Sequence, residues 1–480
     1  MQLYVYVVKK QPSYQKTTIF HKFKPKLSQI IDKTHQPVWE LMQKAKISLY
    51  TAAAIVISNM IGTGVFTSLG FQVVDIQSVF VLLMLWVVGG ITAYCGAISY
   101  AELGSRLPRS GGEYHFLREI YHPAVGFTAG WVSATVGFAA PTALAAITFG
   151  AYLSQVFPQF NQTILAVILL GLVTLVHATA VKNSSRFQQL FTGIKILLIL
   201  VFIILAWFIT EAPQHISILP QPGDEKLIFS RSFAVSLIYV SYAYTGWNAA
   251  TYVINEMKNP GKNLPVALGI GTLIVLVLYV GLNYVFLYTS PMEQLSGKIE
   301  IGYVAASNMF GDTGTRIMGG ILALLLISTV SAMVFAGPRV IQMMGEDIPL
   351  FRFFAKTNQH EVPTRAIWTQ SALSFLFIIT ASFESILVFA GFSLAATSFM
   401  TVLVIFRIRK MQKGQTDTYR AWGYPVTPII YLLLTGWTLV FLLFEKPMEA
   451  LAGVGILGSG FLIYWMVKRR EKAGLHSVKK

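Results

Sequence analysis

One cysteine in 480 residues, Cys95, leaves the chain without a partner for an intrachain disulfide. Charge is equally scarce. Asp, Glu, Lys and Arg make up 12% of the residues, against about 25% in an ordinary soluble domain. There is no His-Glu-x-x-His helix, cysteine cluster, phosphate-binding glycine loop or nucleophile triad. His115, His122 and His177 do not have metal-ligand spacing. These absences point to a protein without a cofactor or metal and without enzymatic chemistry. The first 46 residues are polar and lysine-rich ahead of the first long apolar run, so no classical signal peptide is expected there.

What the sequence has is hydrophobic length. Apolar residues are 54% of the chain, and windows of about 20 of them, one transmembrane helix each, recur along it. Twelve spans are read at about 47–71, 77–101, 120–156, 162–181, 187–210, 231–256, 263–288, 312–345, 366–382, 385–406, 427–444 and 449–467. The expected fold class is an all-α polytopic membrane protein.

The net charge of +16 follows from this topology. Of the 37 Lys and Arg, thirty-one fall on the segments that share a side with the two termini, and five fall on the other side. Such a bias places both termini in the cytoplasm and makes nucleic acid an unneeded partner. The remaining cation, Lys195, stands inside an apolar run, about 13 Å from the cytoplasmic end of its helix. An ionisable residue at that depth is a functional candidate by default, the bland alternative being a packing lysine satisfied by carbonyls.

Five regions follow. Residues 1–46 form a basic cytoplasmic tail, 47–210 a first five-helix repeat, 231–406 a second, 427–467 helices eleven and twelve, and 468–480 a cytoplasmic tail. Each repeat opens on a span interrupted by glycine, "SNMIGTGVF" in the first and "AYTGWNA" in the second. Five helices separate the two, so the second unit enters the membrane inverted. Paired interrupted spans in inverted halves mark the central site of a transporter. A broken turn leaves backbone groups without partners, which hydrocarbon tolerates only beside a polar cavity or ligand. The first break would offer amides and a positive dipole end to a carboxylate, and the second, near Tyr244, carbonyls to a cation. Together they fit an α-amino acid. The competing reading is that Gly62, Gly64 and Gly246 only allow close helix packing.

"MIGTGVF" and "YAYTGWNAATYVINEMKNPGKNLPVA" resemble the first- and sixth-helix motifs of the amino acid–polyamine–organocation superfamily, within it the L-type amino acid transporter group. "LPRSGGEYHFLREIYHPAVGFTAGW" (Leu107 to Trp131) and "SRFQQLFTGIK" (Ser185 to Lys195) are similar to its third-helix entry and fifth helix. The resemblance runs from about 47 to 410 and implies the LeuT-type five-plus-five inverted repeat with two extra helices.

It also implies roles for residues. Ile61, Gly62, Thr63 and Gly64 would surround the substrate carboxylate, while Tyr242, Thr245 and Gly246 flank the amino group, with Trp247 and Asn248 following. Tyr242 stands where the family places an aromatic gate. Lys195 would reach the unwound first helix and the eighth, its ammonium standing where sodium-coupled relatives hold sodium, with Ser328, Thr329 and Ser331 as hydroxyl candidates to accept from it. Glu256 is a candidate cytoplasmic gate residue. Threonine at 245, where large-neutral transporters often carry glycine, implies a smaller side-chain pocket.

The expected function is sodium-independent transport of small neutral L-amino acids by alternating access, as an exchanger or with protons. A polyamine or cationic amino acid antiporter would need acidic residues beside Gly64 or Gly246, and there are none. A channel would need a filter-like repeat, which is absent. In the L-type group a loop cysteine ties the transporter to a single-span partner; here that loop reads "FPQFNQ". A monomer without a disulfide-linked heavy chain, in a bacterial cytoplasmic membrane, is the expectation.

Overall fold

Helix boundaries follow from local chemistry that the sequence displays. Ser48 caps α1 (Leu49–Met60) by accepting the Thr51 amide, and Ser78 caps α3 (Val79–Arg106) in the same way. The molecule, seen in a computed structural model, is described for residues 47–179, 184–228, 230–359, 362–412 and 418–477. The basic segment 1–46 lies outside the described residues. Every regular element among them is helical. Between α1 and α3 runs α2 (Gly64–Asp75), and α4 (Gly112–Ile120) follows. Next come α5 (Pro123–Val132), a π-helical turn (Ser133–Gly137), α6 (Ala139–Val156), α7 (Gln162–Thr179) and α8 (Ser184–Ile209). The second half holds α9 (Arg231–Ala243), a 3-10 segment (Ala249–Glu256), α10 (Pro260–Thr289), α11 (Ile301–Asp347) and α12 (Thr364–Thr380). It closes with α13 (Phe383–Met411), α14 (Val426–Glu445) and α15 (Pro447–Ser477).

Among the described residues, ten helices are long and apolar enough to cross a membrane. The other two expected spans fall short for visible reasons. Residues 231–256 are split between the 13-residue α9 and the 3-10 segment, and α12 has only 17 residues. Other boundaries shift too. The third span begins at Pro123 because residues 112–120 form the separate α4, and α15 extends past the expected end at 467 to Ser477. Helix α11 continues through Pro338 to Asp347, and it breaks at Gly311, with φ 63°.

Two groups of helices emerge from the packing. In one, α10 covers α3 and α1 while α2 runs against α9; in the other, α6, α7, α11 and α12 pack on one another. Helix α8 touches α1, α10 and α11, and so lies on the seam between them. The end of α3 is fixed by a buried charge cluster. Glu102, 0% exposed, accepts from Arg106 Nε at 2.9 Å, from Arg409 Nη2 at 2.6 Å and from the Ala421 amide at 2.7 Å. Charges this deep persist only when fully partnered.

Candidate functional site

The first break occupies residues 61–63. The Gly62 amide turns back on Met60 O at 2.8 Å, and α2 starts only at Gly64. Among the described residues, the amides of Thr63, Gly64 and Val65 meet no backbone carbonyl. These are the orphan donors of a helix start, aligned with its positive dipole end.

The second break lies against the first. Helix α9 ends at Ala243, Gly246 takes φ 103°, and the backbone resumes as 3-10 turns at Ala249. Among the described residues, the carbonyls of Tyr244 and Thr245 accept no backbone amide. The Thr245 hydroxyl donates to Tyr242 O, and the Tyr242 hydroxyl faces the Thr63 side chain across the crossing.

Glycines make the crossing possible. A Cβ on Gly64 would sit 2.6 Å from Ala243 Cβ and closer still to its Cα, and one on Gly246 would lie 2.8 Å from Asn59 O. At Gly62 it would meet only Thr329 Cγ2, at an ordinary 3.5 Å, and Met60 O at 3.9 Å. Gly64 and Gly246 are therefore close-approach positions, whatever else they contact. Gly62 and Thr245 remain half-buried.

Lys195, 2% exposed, fills the gap between the first break and α11. Its ammonium donates to Ile61 O at 3.2 Å and to Thr329 Oγ1 at 2.9 Å. Of the hydroxyl candidates on α11, only Thr329 receives it. Ser331, two residues on and turned about 200° around the helix, pairs with His177 Nε2 at 2.8 Å instead. The Ser328 hydroxyl is buried and has no partner among the described residues.

Two further residues belong to the site although no local pattern marks them. Tyr279 on α10 directs its hydroxyl to Met60 O and, at 3.1 Å, to Ala243 O, the last helical carbonyls before each break; the Gly62 amide also faces it. Glu113 on α4 accepts from Tyr100 Oη at 2.6 Å, Ser398 Oγ at 2.7 Å and Asn248 Nδ2 at 3.3 Å. A polar tip in an apolar run, and a lone carboxylate after "SGG", were the available signals.

Trp247 packs edge-on to Tyr100 at 4.6 Å and to Tyr431 at 6.1 Å, as part of an aromatic cluster. Glu256 is exposed and, among the described residues, lies within 4 Å of no cationic nitrogen. Beside it, Asn255 and Ser110 bind reciprocally: Ser110 N to Asn255 Oδ1 at 3.3 Å, and Asn255 N to Ser110 Oγ at 3.0 Å. At the opposite end Tyr239 Oη donates to Glu384 Oε1 at 2.6 Å, and Lys446 Nζ meets the same oxygen at 2.7 Å. Both ends of the crossing are latched by polar contacts.

Comparison with known proteins gives one family model, "Amino acid permease", matching residues 47–467. The chain is 28% identical to the human "Large neutral amino acids transporter small subunit 2" over 88% of its own length and 80% of that protein. It is 26% identical to the "Serine/threonine exchanger SteT" of Bacillus subtilis (strain 168), over 89% and 98% respectively. The "Asc-type amino acid transporter 1" of Mus musculus is 27% identical, over 88% and 81%.

Proposed function

The chain belongs to the amino acid permease family, and from that premise we propose that it is a sodium-independent carrier of small neutral L-amino acids, working by alternating access. The observation that carries this reading is the opened first break. Its unclaimed amides at Thr63, Gly64 and Val65 offer a carboxylate site, while Lys195 occupies the carbonyl side at Ile61. A fixed ammonium there supplies the positive charge that a sodium ion would otherwise bring. The open carbonyls of Tyr244 and Thr245 suit the substrate's amino group.

The reading takes the chain as twelve spans in a LeuT-type inverted repeat, with both termini cytoplasmic in a bacterial cell membrane. The two packed groups of helices, with α8 on their seam, support that arrangement. The relatives' names point both ways on substrate size, one to large neutral amino acids and one to serine and threonine. Thr245 favours the small class, because its side chain stands half-buried within the second break. The carboxylate beside that break, Glu113, is 3% exposed and covered by three donors, which makes it a poor acidic anchor for a polyamine. Burial of Cys95 supports the absence of a disulfide-linked heavy chain, and the reading takes the chain as a monomer.

The test is uptake of labelled alanine and serine into proteoliposomes, with and without unlabelled amino acid inside and with sodium replaced by choline. We expect saturable uptake, accelerated by internal substrate or by an inward proton gradient, and unchanged without sodium. Loss of uptake in choline would end the sodium-independent reading. Thr245→Gly should shift preference from alanine toward leucine by about 10-fold or more, since each methyl-sized change in a pocket contributes about 1–3 kcal/mol. Competition assays with the variant measure that ratio, and an unmoved ratio removes Thr245 from the pocket.

A further inference from the structure

Glu113 is a carboxyl with an unusual setting. It is 3% exposed, yet among the described residues no Lys, Arg or His nitrogen lies within 4 Å of it. Its hydrogen-bond partners are all neutral: Tyr100 on α3, Ser398 on α13 and Asn248 in the second break. The other titratable groups facing it are also neutral, Tyr252 from the 3-10 segment and Tyr431 from α14. Three arginines on the neighbouring helices are engaged elsewhere. Arg106 and Arg409 bind Glu102, and Arg407 lies over the Tyr121 ring. A buried charge without a counter-charge is costly, and the usual outcome is that the group takes up a proton.

Helix α4 also joins the two helix groups. It holds the second break through Glu113–Asn248, backed by the Ser110–Asn255 pair just before it, and it holds the end of α11 through Tyr114 and Arg118. Both of these donate to Asp347 Oδ2, at 2.5 and 2.6 Å. Gly112 leaves no room for a side chain against Tyr252, at 2.8 Å. Separating the second broken helix from α4 therefore uncovers Glu113.

We propose that Glu113 is the proton site of the cytoplasmic gate: it holds a proton while α4 and the second broken helix are packed together, and releases it to water when they part. Cytoplasmic acid then keeps the gate shut. The inference rests on the orientation given under the proposed function, and it assigns a regulation to that same transport cycle. The step is a simple exchange, in which the carboxylate takes a proton from cytoplasmic water on closing and returns it on opening. Burial pushes the Glu113 carboxyl above the usual carboxylate range, while the hydrogen bonds from Tyr100 and Ser398 pull it back. The sign follows. Above 4.5 the unfolded chain loses this proton first, so the group's contribution to stability is present at low pH and is lost as pH rises through the folded value.

Two readouts test it. In proteoliposomes at fixed external pH, wild-type exchange should rise several-fold as internal pH goes from about 5.5 to 8, tracking ionisation of one carboxyl. Glu113→Gln should be slow and flat across that range, and Glu113→Asp should keep a slope. In detergent, the wild-type melting temperature should fall with rising pH more steeply than that of Glu113→Gln. A wild type whose exchange ignores internal pH, or equal melting slopes in the two proteins, overturns the proposal. Absence of amino acid uptake at every pH would fault the transport reading instead, and the melting comparison would still decide the proton site.

Discussion

Lys195→Ala should abolish transport, with exchange falling by about 100-fold or more while the protein still reaches the membrane. The ammonium makes two charge-assisted bonds, to Ile61 O and to Thr329 Oγ1, at 2% exposure. Each such bond contributes about 1.5–3 kcal/mol, and a partner left unpaired in a dry site adds its own desolvation cost. The two losses fall on opposite sides of the seam, at the first break and at α11, so the effect is on the site's geometry as well as on stability. Lys195→Arg should fail nearly as completely, since a planar guanidinium does not fit a space shaped for one compact charge. Vmax and apparent KM in proteoliposomes, with thermal shifts on adding alanine, measure this. Kinetics equal to wild type would leave Lys195 as mere packing.

Gly64→Ala should be as damaging, for a steric reason that predicts its own control. The new Cβ would press on the main chain of Ala243 as well as on its methyl group, and backbone atoms cannot give way. Trimming the neighbour with Ala243→Gly therefore restores nothing, because the overlap with the main chain persists. Gly246→Ala combines the clash at Asn59 with φ 103°, a conformation that side chains rarely adopt. We expect loss of folded protein or of all uptake for both. Gly62→Ala, 3.5 Å from Thr329 Cγ2, should yield folded protein with altered affinity rather than collapse. Size-exclusion profiles and uptake of the three variants side by side give the answer. Equal behaviour of Gly62→Ala and Gly64→Ala would refute the crossing as described.

What the sequence disclosed and what it hid divide along one line. Features written locally were legible. Gly62 and Gly64 inside an apolar run announced a break, Gly246 a second, and a lone lysine in hydrocarbon drew notice by its cost. Features that depend on contacts between distant residues were not. Tyr279 meets Met60 across 219 positions, and nothing near it distinguishes it from the other aromatics of α10. Glu113 reads as the first-turn acid of a short loop helix until the fold closes Tyr100, Ser398 and Asn248 over it. The choice among Ser328, Thr329 and Ser331 turned on helix phase, which a sequence resolves only once the helix is anchored, and Pro338 blurred that anchor. Glu256 was expected at the gate for its charge; it faces Arg339 beyond ion-pair distance, and the uncharged pair Ser110 and Asn255 bonds beside it.

Tyr279 carries a single hydroxyl hydrogen but faces two acceptors, Met60 O and Ala243 O, one from each interrupted helix. Only one can be served at any instant. When either helix tilts away, the hydrogen passes to the other carbonyl, and the tyrosine is never stranded in an oily interior. Losing one of the two contacts therefore costs only the difference between two similar bonds. Phenylalanine at this position would fill the same volume, but the handover would be lost.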